Sequence, residues 1–157
     1  MEIYLRKLRI EDALISYKWR NNPEIWKFTG NRPDRVITLE LEKEWIMKVL
    51  KNEDEARYAI CLKPTNEYIG NIQLTNIKNK TAEFHIFIGE LKYWGKGLGT
   101  KATKEMVRIG FEELLLNEIY LYVDNRNIAA IKAYLNCGFI IDSCINGKIR
   151  MFIRKYE

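Results

Sequence analysis

The sequence has one histidine and three cysteines in 157 residues. Cys61, Cys137 and Cys144 form no C-x-x-C pair, so a structural zinc site, which needs four such ligands, is not expected. An odd cysteine count points instead to buried free thiols. No run of 18 apolar residues exists, so a transmembrane helix is not expected. The first residues, MEIYLRKLRIED, are charged and strand-like and lack the apolar core of a signal peptide, which places the chain in the cytoplasm. There are only three prolines, and no repeat, linker or low-complexity segment interrupts the pattern. A chain of this length reads as one domain over residues 1–157.

Apolar residues make up 47% and charged residues 30%, the composition of a globular protein rather than a disordered one. The net charge of +5 favours anionic partners such as a phosphorylated cofactor. Lysine and arginine are scattered rather than clustered with aromatics, so direct nucleic-acid binding is not expected.

Periodicity gives the elements. Ile3, Leu5 and Leu8 open a short strand. Glu11 to Arg20 suits a helix with Ala13, Leu14 and Tyr17 inward, and Trp19 beside them, ended by Asn21-Asn22-Pro23. Ile25 to Arg35 reads as irregular. Thr38 is placed to cap a helix reaching Asn52. Arg57–Lys63, Tyr68–Ile77 and Thr81–Gly89 follow as three strands with short links, an antiparallel meander. Gly97 to Leu115 is a long amphipathic helix with Ala102, Met106, Ile109, Gly110 and Leu114 inward. A strand over Glu118–Val123, a helix over Ile128–Cys137 stopped by Gly138, and a hairpin turning at Asn146-Gly147 complete the chain. The fold class is mixed α+β: a mostly antiparallel sheet with one strand–helix–strand crossover.

The stretch 83–100 carries the chemistry. A strand runs into Gly95, Gly97 and Gly99, and a helix starts at once. Glycines let the backbone approach a ligand and aim several N–H groups at one place. The helix dipole adds positive field there, so the product is an anion site suited to phosphate. Residues 97–102 also fit G-x-G-x-x-A, with Asp124 where a ribose-binding acid would stand. A dinucleotide fold needs several parallel βαβ units, and only one crossover follows this turn. The P-loop pattern is absent.

The strand, then W-G-K-G-L-G-T over 94–100, a long helix, a strand, and N-R-N-I-A-A-I-K-A-Y-L-N-C-G-F over 125–139 together resemble the GNAT superfamily of N-acetyltransferases. WRNNPEI and the K-E-W helix are similar to the branch containing ribosomal-protein N-terminal, spermidine and nucleotide-amino-sugar acetyltransferases. The resemblance implies acetyl-CoA as donor and a small-molecule or peptide amine as acceptor, with direct attack in a ternary complex. It implies that backbone N–H groups of Gly95, Lys96, Gly97, Leu98, Gly99 and Thr100 hold the coenzyme's pyrophosphate. Ile86, Phe87 and Ile88 would pair with its pantetheine arm, Asn127 would contact that arm, and Tyr134 would protonate the departing thiolate. The family often has Gln or Arg where this chain has Trp94, and the Gly89–Trp94 loop is one residue longer than the shortest family form.

Strand alternation puts Glu83, His85 and Phe87 on one face. Glu83 is the candidate base, acting through water, with His85 beside it as a group that titrates near neutrality. Trp19, Trp26 and Trp45 are candidates for shaping the acceptor pocket or for packing the core. A non-catalytic acetyl-CoA sensor of the same fold is the alternative reading, and association into a homodimer is left open.

Overall fold

In a computed structural model, which describes residues 1–30 and 32–155, seven strands form one sheet. They are β1 (Ile3–Lys7), β2 (Ala56–Leu62), β3 (Tyr68–Lys78), β4 (Thr81–Ile88), β5 (Glu118–Asp124), β6 (Ile140–Ile145) and β7 (Lys148–Arg154), in the order β1-β2-β3-β4-β5-β7-β6. Five helices accompany them: α1 (Ala13–Asn21), α2 (Pro23–Thr29), α3 (Leu39–Leu50), α4 (Leu98–Glu112) and α5 (Ile128–Asn136). Only the β4–β5 pair is parallel, and α4 makes the crossover between them. The β2–β3–β4 meander is antiparallel, as its short links require.

The sheet has two apolar faces because its strands alternate. Ala82 and Phe84 of β4, with Ile119 and Leu121 of β5, join Leu98, Ala102 and Met106 of α4 in the larger core. Gly110 allows this close approach: a Cβ there would lie 2.7 Å from the Ile119 side chain. On the opposite face Trp19 of α1, Ile46 of α3, Ala59, Cys61 and Tyr68 form a second cluster, with Phe87 packed against it. The indole of Trp19 lies flat over Gly89, where a Cβ would come within 2.1 Å of the ring.

Four expectations need correcting. The segment beginning at Ile25 is not irregular throughout, because α2 runs Pro23–Thr29. Pro23 begins this helix rather than only ending α1: proline at the first turn lacks an N–H that has no partner there anyway. Asn22 accepts from Glu24 N, and Gly30 closes the helix at φ 76°. Part of that expectation falls on Asn31, which lies outside the described residues. Second, the inward side of α1 is Ala13, Ser16 and Trp19, and Leu14 is 54% exposed. Third, α4 stops at Glu112, so Leu114 turns outward and Leu116 takes the core position. Fourth, of the cysteines only Cys61 is buried; Cys137 is half-buried and Cys144 exposed.

The expected helix cap, hairpin turn and helix stop are present. Thr38 Oγ1 accepts from Leu41 N at 3.2 Å and caps α3. Asn146 and Gly147 both have positive φ (53° and 78°), the pair of left-handed conformations a type I′ hairpin turn needs. Gly138 follows α5 at φ 99°. Among the described residues no helix is long and apolar enough to cross a membrane, and no His/Cys/Asp/Glu group is arranged to hold a metal ion.

Candidate active site

The parallel pairing of β4 with β5 covers only Thr81↔Glu118, Ala82↔Ile119 and Glu83↔Tyr120. Beyond these residues β4 stays paired with β3 as far as Gly70↔Ile88, and β5 stays paired with β7 as far as Asp124↔Lys148. The two central strands therefore part after Glu83 and Tyr120 and leave a wedge-shaped gap that widens towards their C-terminal ends. The register decides which backbone groups face it. Gly89 N donates to Ile69 O at 2.7 Å. Residues in step with Gly89, including Phe87 and His85, thus direct their backbone polar groups at β3. The groups of Ile86 and Ile88 face the gap instead. Phe87 is consequently not a gap-facing backbone residue, although it shares the stretch with them, and its ring packs edge-on against Trp19 at 5.8 Å.

The C-terminal end of β4 leads through a 3-10 turn at Leu91–Tyr93 to the glycine turn. Gly95 (φ 73°) and Gly97 (φ 76°) are both left-handed, and nothing lies within 4 Å of the Cβ position of either. Gly97 stands at the N-cap of α4, so the first unpaired N–H groups of a 15-residue helix point past it. Leu98 turns into the core at 1% exposed and fixes the turn. Lys96 is exposed on the same loop. Thr103 Oγ1 donates back to Gly99 O at 2.7 Å, and Cys137 Sγ lies 3.7 Å from Thr100 O, joining α5 to the start of α4. The helix mouth is an open cradle of main-chain amides, and the strand gap continues from it.

Trp94 occupies the junction. Its indole N–H donates to Ile88 O at 2.8 Å. This bond ties the glycine turn to the end of β4 and engages one of the gap-facing carbonyls. The sequence signalled only that Trp94 stands where a phosphate contact is common in similar chains; the bond needs three-dimensional proximity to be seen.

The side chains expected to do chemistry sit on either side of the gap. Tyr134, on α5, packs on the α4 side of the sheet, its ring 5.9 Å from Phe84 and 5.9 Å from Phe139. Burial pushes its phenol up to about 12, with nearby Cys137 adding slightly. Asn127 caps α5, its Oδ1 accepting from Ala130 N at 3.2 Å. Glu83, His85 and Phe87 lie on the opposite face, as alternation predicts. His85 Nε2 is 3.3 Å from Glu83 Oε2, and Asn76 Nδ2 is 3.4 Å from Glu83 Oε1. Partial desolvation lowers the pKa of half-exposed His85 from its ordinary value, against the opposing pull of Glu83.

The tryptophans divide. Trp19 is buried at 4% exposed and donates its indole N–H to Glu90 Oε1 at 3.2 Å. It also walls a hollow of about 490 Å³ beside Tyr68, Gly89 and Glu90. Trp45 is held between the guanidinium groups of Arg20 and Arg57, at 5.1 and 5.0 Å. Trp26 carries Arg32 at 5.3 Å.

A sheet split at its centre, with a glycine turn and helix mouth at the split, defines a class of acyl-transfer enzymes that grip a coenzyme A ester by its phosphates. The chain belongs to the GNAT acetyltransferases: residues 2–140 match the acetyltransferase (GNAT) domain family. It is an acetyl-CoA-dependent N-acetyltransferase acting on an amine. Among its relatives is the spermidine N(1)-acetyltransferase of Escherichia coli (strain K12), 32% identical over 97% of this chain and 83% of that protein. The uncharacterized N-acetyltransferase p20 of Bacillus licheniformis is 30% identical over 86% of this chain and 77% of that protein. In structure it is similar to the spermidine N-acetyltransferase of Vibrio cholerae, solved with CoA and spermine, at TM-score 0.86 and 26% identity over 97% and 95% of the two chains.

Proposed function

We propose that residues 1–157 form one acetyltransferase unit in which acetyl-CoA and the amine bind together and the amine attacks the thioester directly. The observation that carries this reading is the gap itself, open between β4 and β5 and continuous with the unfilled cradle at Gly95 and Gly97. The cradle fits a diphosphate, because amides of residues 95–100 converge at the positive end of α4. The gap-facing N–H and C=O of Ile86 and the N–H of Ile88 fit the amides of the pantetheine arm, which would add to β4 as a short extra strand. When bound, acetyl-CoA supplies an activated acyl carbon and a thiolate leaving group.

The protein's own groups do the rest. A main-chain N–H of β4 facing the gap donates to the thioester oxygen as that oxygen gains charge; such donors are worth about 3–4 kcal/mol when removed. Asn127, at the start of α5, flanks the arm from the β5 side. Tyr134 protonates the leaving sulfur from the α4 side. Its raised pKa keeps it protonated at every physiological pH. Glu83, steadied by Asn76 and next to His85, takes a proton from the amine through water on the opposite face. Acid and base thus approach the reacting carbon from opposite sides of the sheet, and neither has to pass the other.

Mixing the protein with acetyl-CoA and a panel of amines tests this. Free thiol and acetylated amine should appear in equal amounts, and only when both substrates are present. Acetyl-CoA binding with no thiol release for any amine would favour a sensor instead. The reaction is proposed for the cytoplasm, where its donor is made. Dimer formation is compatible with the reading but not needed by it.

A further inference from the structure

The face of β5, β6 and β7 that lies on the Glu83 side of the sheet carries a group of aromatic rings not used above. Along β5 the sequence E-I-Y-L-Y-V-D alternates, so Tyr120 and Tyr122 share one face while Ile119, Leu121 and Val123 share the core face. The register adds Arg150 opposite Tyr122 and Phe152 opposite Tyr120 on β7. The Tyr120 and Tyr122 rings meet edge-on at 6.0 Å. Arg150 lies over Tyr120 at 4.8 Å and near Phe152 at 6.0 Å, and Arg154 lies over Phe152 at 4.6 Å. Tyr122 is 53% exposed and Tyr120 and Phe152 half-buried, so the rings form a ledge open to solvent. The ledge begins where the gap begins, since Tyr120 is the last β5 residue in register with β4 and its partner there is Glu83.

The charges on the ledge cancel. Arg150 pairs with Glu118 at 3.4 Å and with Asp142 at 3.2 Å, and Arg154 pairs with Glu118 at 2.9 Å. Two guanidinium groups therefore face two carboxylates. Farther along β5, Asp124 is held by Arg126 at 2.9 Å. Glu83 differs: its partners are Asn76 and His85, and among the described residues no lysine or arginine is within ion-pair distance of it. The surface leading to the gap thus offers one unmatched carboxylate at its inner end and a neutral aromatic shelf beyond. That arrangement complements a molecule with a single ammonium attached to an uncharged ring. It does not complement a chain of several ammonium groups, which would find one unmatched carboxylate and then only carboxylates already paired with guanidinium groups.

We propose that Tyr122, with Tyr120 and Phe152 beside it, forms the acceptor platform, and that the acceptor is a ring-borne monoamine of the amino-sugar class, its ammonium at Glu83 and its ring against the exposed Tyr122. The inference rests on the acetyltransferase reading and narrows it. Sugar rings suit such a shelf because their C–H faces are apolar while their hydroxyl edges stay in water. Arg150 is a positioning residue: it stacks on Tyr120 and is tied by two carboxylates, so it holds Tyr120 in place beside Tyr122.

Thiol release should be measured with acetyl-CoA and four acceptors: a free hexosamine, a nucleotide-linked hexosamine, spermidine, and a short peptide with a free N-terminus. The expected result is a kcat/KM for one of the two ring amines at least about tenfold above that for spermidine and for the peptide. Which ring amine wins identifies whether the sugar is free or nucleotide-linked. Tyr122→Ala should raise the KM for that amine roughly three- to tenfold, the worth of one aromatic contact, without altering acetyl-CoA affinity. Tyr122→Phe, which keeps the ring, should restore the KM. Faster turnover of spermidine or of the peptide would overturn the proposal, as would an unchanged KM in Tyr122→Ala. Acetyl-CoA binding without thiol release from any amine, including a wider panel, would overturn the acetyltransferase reading itself and the platform with it.

Discussion

Replacing Tyr134 by phenylalanine removes one oxygen and leaves the ring. The contacts with Phe84 and Phe139 at 5.9 Å involve that ring, so the packing of α5 on the sheet should survive. If the phenol protonates the departing thiolate, kcat should fall by roughly 10²- to 10⁴-fold, the range for a positioned acid. That corresponds to about 3–5 kcal/mol on the barrier. Acetyl-CoA affinity should change by less than about twofold, because the diphosphate grip lies at the start of α4 and does not involve the hydroxyl. The pH dependence adds a second readout. Burial raises the phenol to about 12, so it remains the protonated donor as pH rises through 10. The wild-type rate should therefore show no falling alkaline limb from Tyr134 below pH 10. An ordinary tyrosine would begin to lose its proton near there. Steady-state kinetics from pH 6 to 10, calorimetry with acetyl-CoA, and a thermal melt of both proteins make the full assay. A kcat within threefold of wild type would remove Tyr134 from the mechanism. A fall in kcat matched by an equal loss of affinity and of melting temperature would show instead that the hydroxyl has a packing role.

Three further perturbations separate the parts of the site. Gly97→Val places a β-branched side chain at φ 76° in the open cradle, where backbone strain of about 1–2 kcal/mol adds to direct blocking of the phosphates; calorimetry should show acetyl-CoA affinity lost by well over tenfold, and an unaltered Kd would contradict the cradle. Trp94→Phe keeps an aromatic ring but deletes the N–H bonded to Ile88 O, a bond with a net worth of about 0.5–1.5 kcal/mol, so the Kd for acetyl-CoA should rise about two- to tenfold; an unchanged Kd would mean that the tie does not set the site. Gly89→Ala drives a methyl group to within 2.1–2.5 Å of the Trp19 ring, and overpacking of this kind costs about 1–3 kcal/mol. For a chain of this size the melting temperature should drop by roughly 3–10 °C, and a melt equal to wild type would show that Trp19 moves aside freely.

The residues themselves tell why some of this was readable in the chain. The W-G-K-G-L-G-T turn and the long helix after it are set by local chemistry: glycine where φ is positive, then a 3.6-residue apolar period. Such signals survive without tertiary context, and the Asn146-Gly147 hairpin is of the same kind. Helix α2 was missed because Asn22 and Pro23 do two jobs at once. Asn22 ends α1 through its own N–H to Trp19 O and then starts α2 with its side chain. Read singly, the pair says only that a helix stops. Buried Glu42 is illegible for another reason. Its cost is offset by Ser16 at 2.7 Å and Arg20 at 2.8 Å, both on α1, more than twenty residues away. The point at which β4 and β5 part also depends on distant pairing, since nothing local marks Glu83 or Tyr120 as last in register. The tyrosine ledge follows the two-residue period of E-I-Y-L-Y-V-D, but the strand read over Glu118–Val123 did not say which face the core would take, and only the packing of Ile119, Leu121 and Val123 leaves the tyrosines outside.

Amide hydrogen exchange, followed residue by residue as acetyl-CoA is titrated in, tests the central claim most directly. Binding should protect the gap-facing amides of Ile86 and Ile88 together with those of residues 95–100, while the amides of Phe87 and Gly89, already turned to β3, should barely change. Protection confined to other surfaces, with Ile86, Ile88 and the glycine turn exchanging as fast as before, would contradict it.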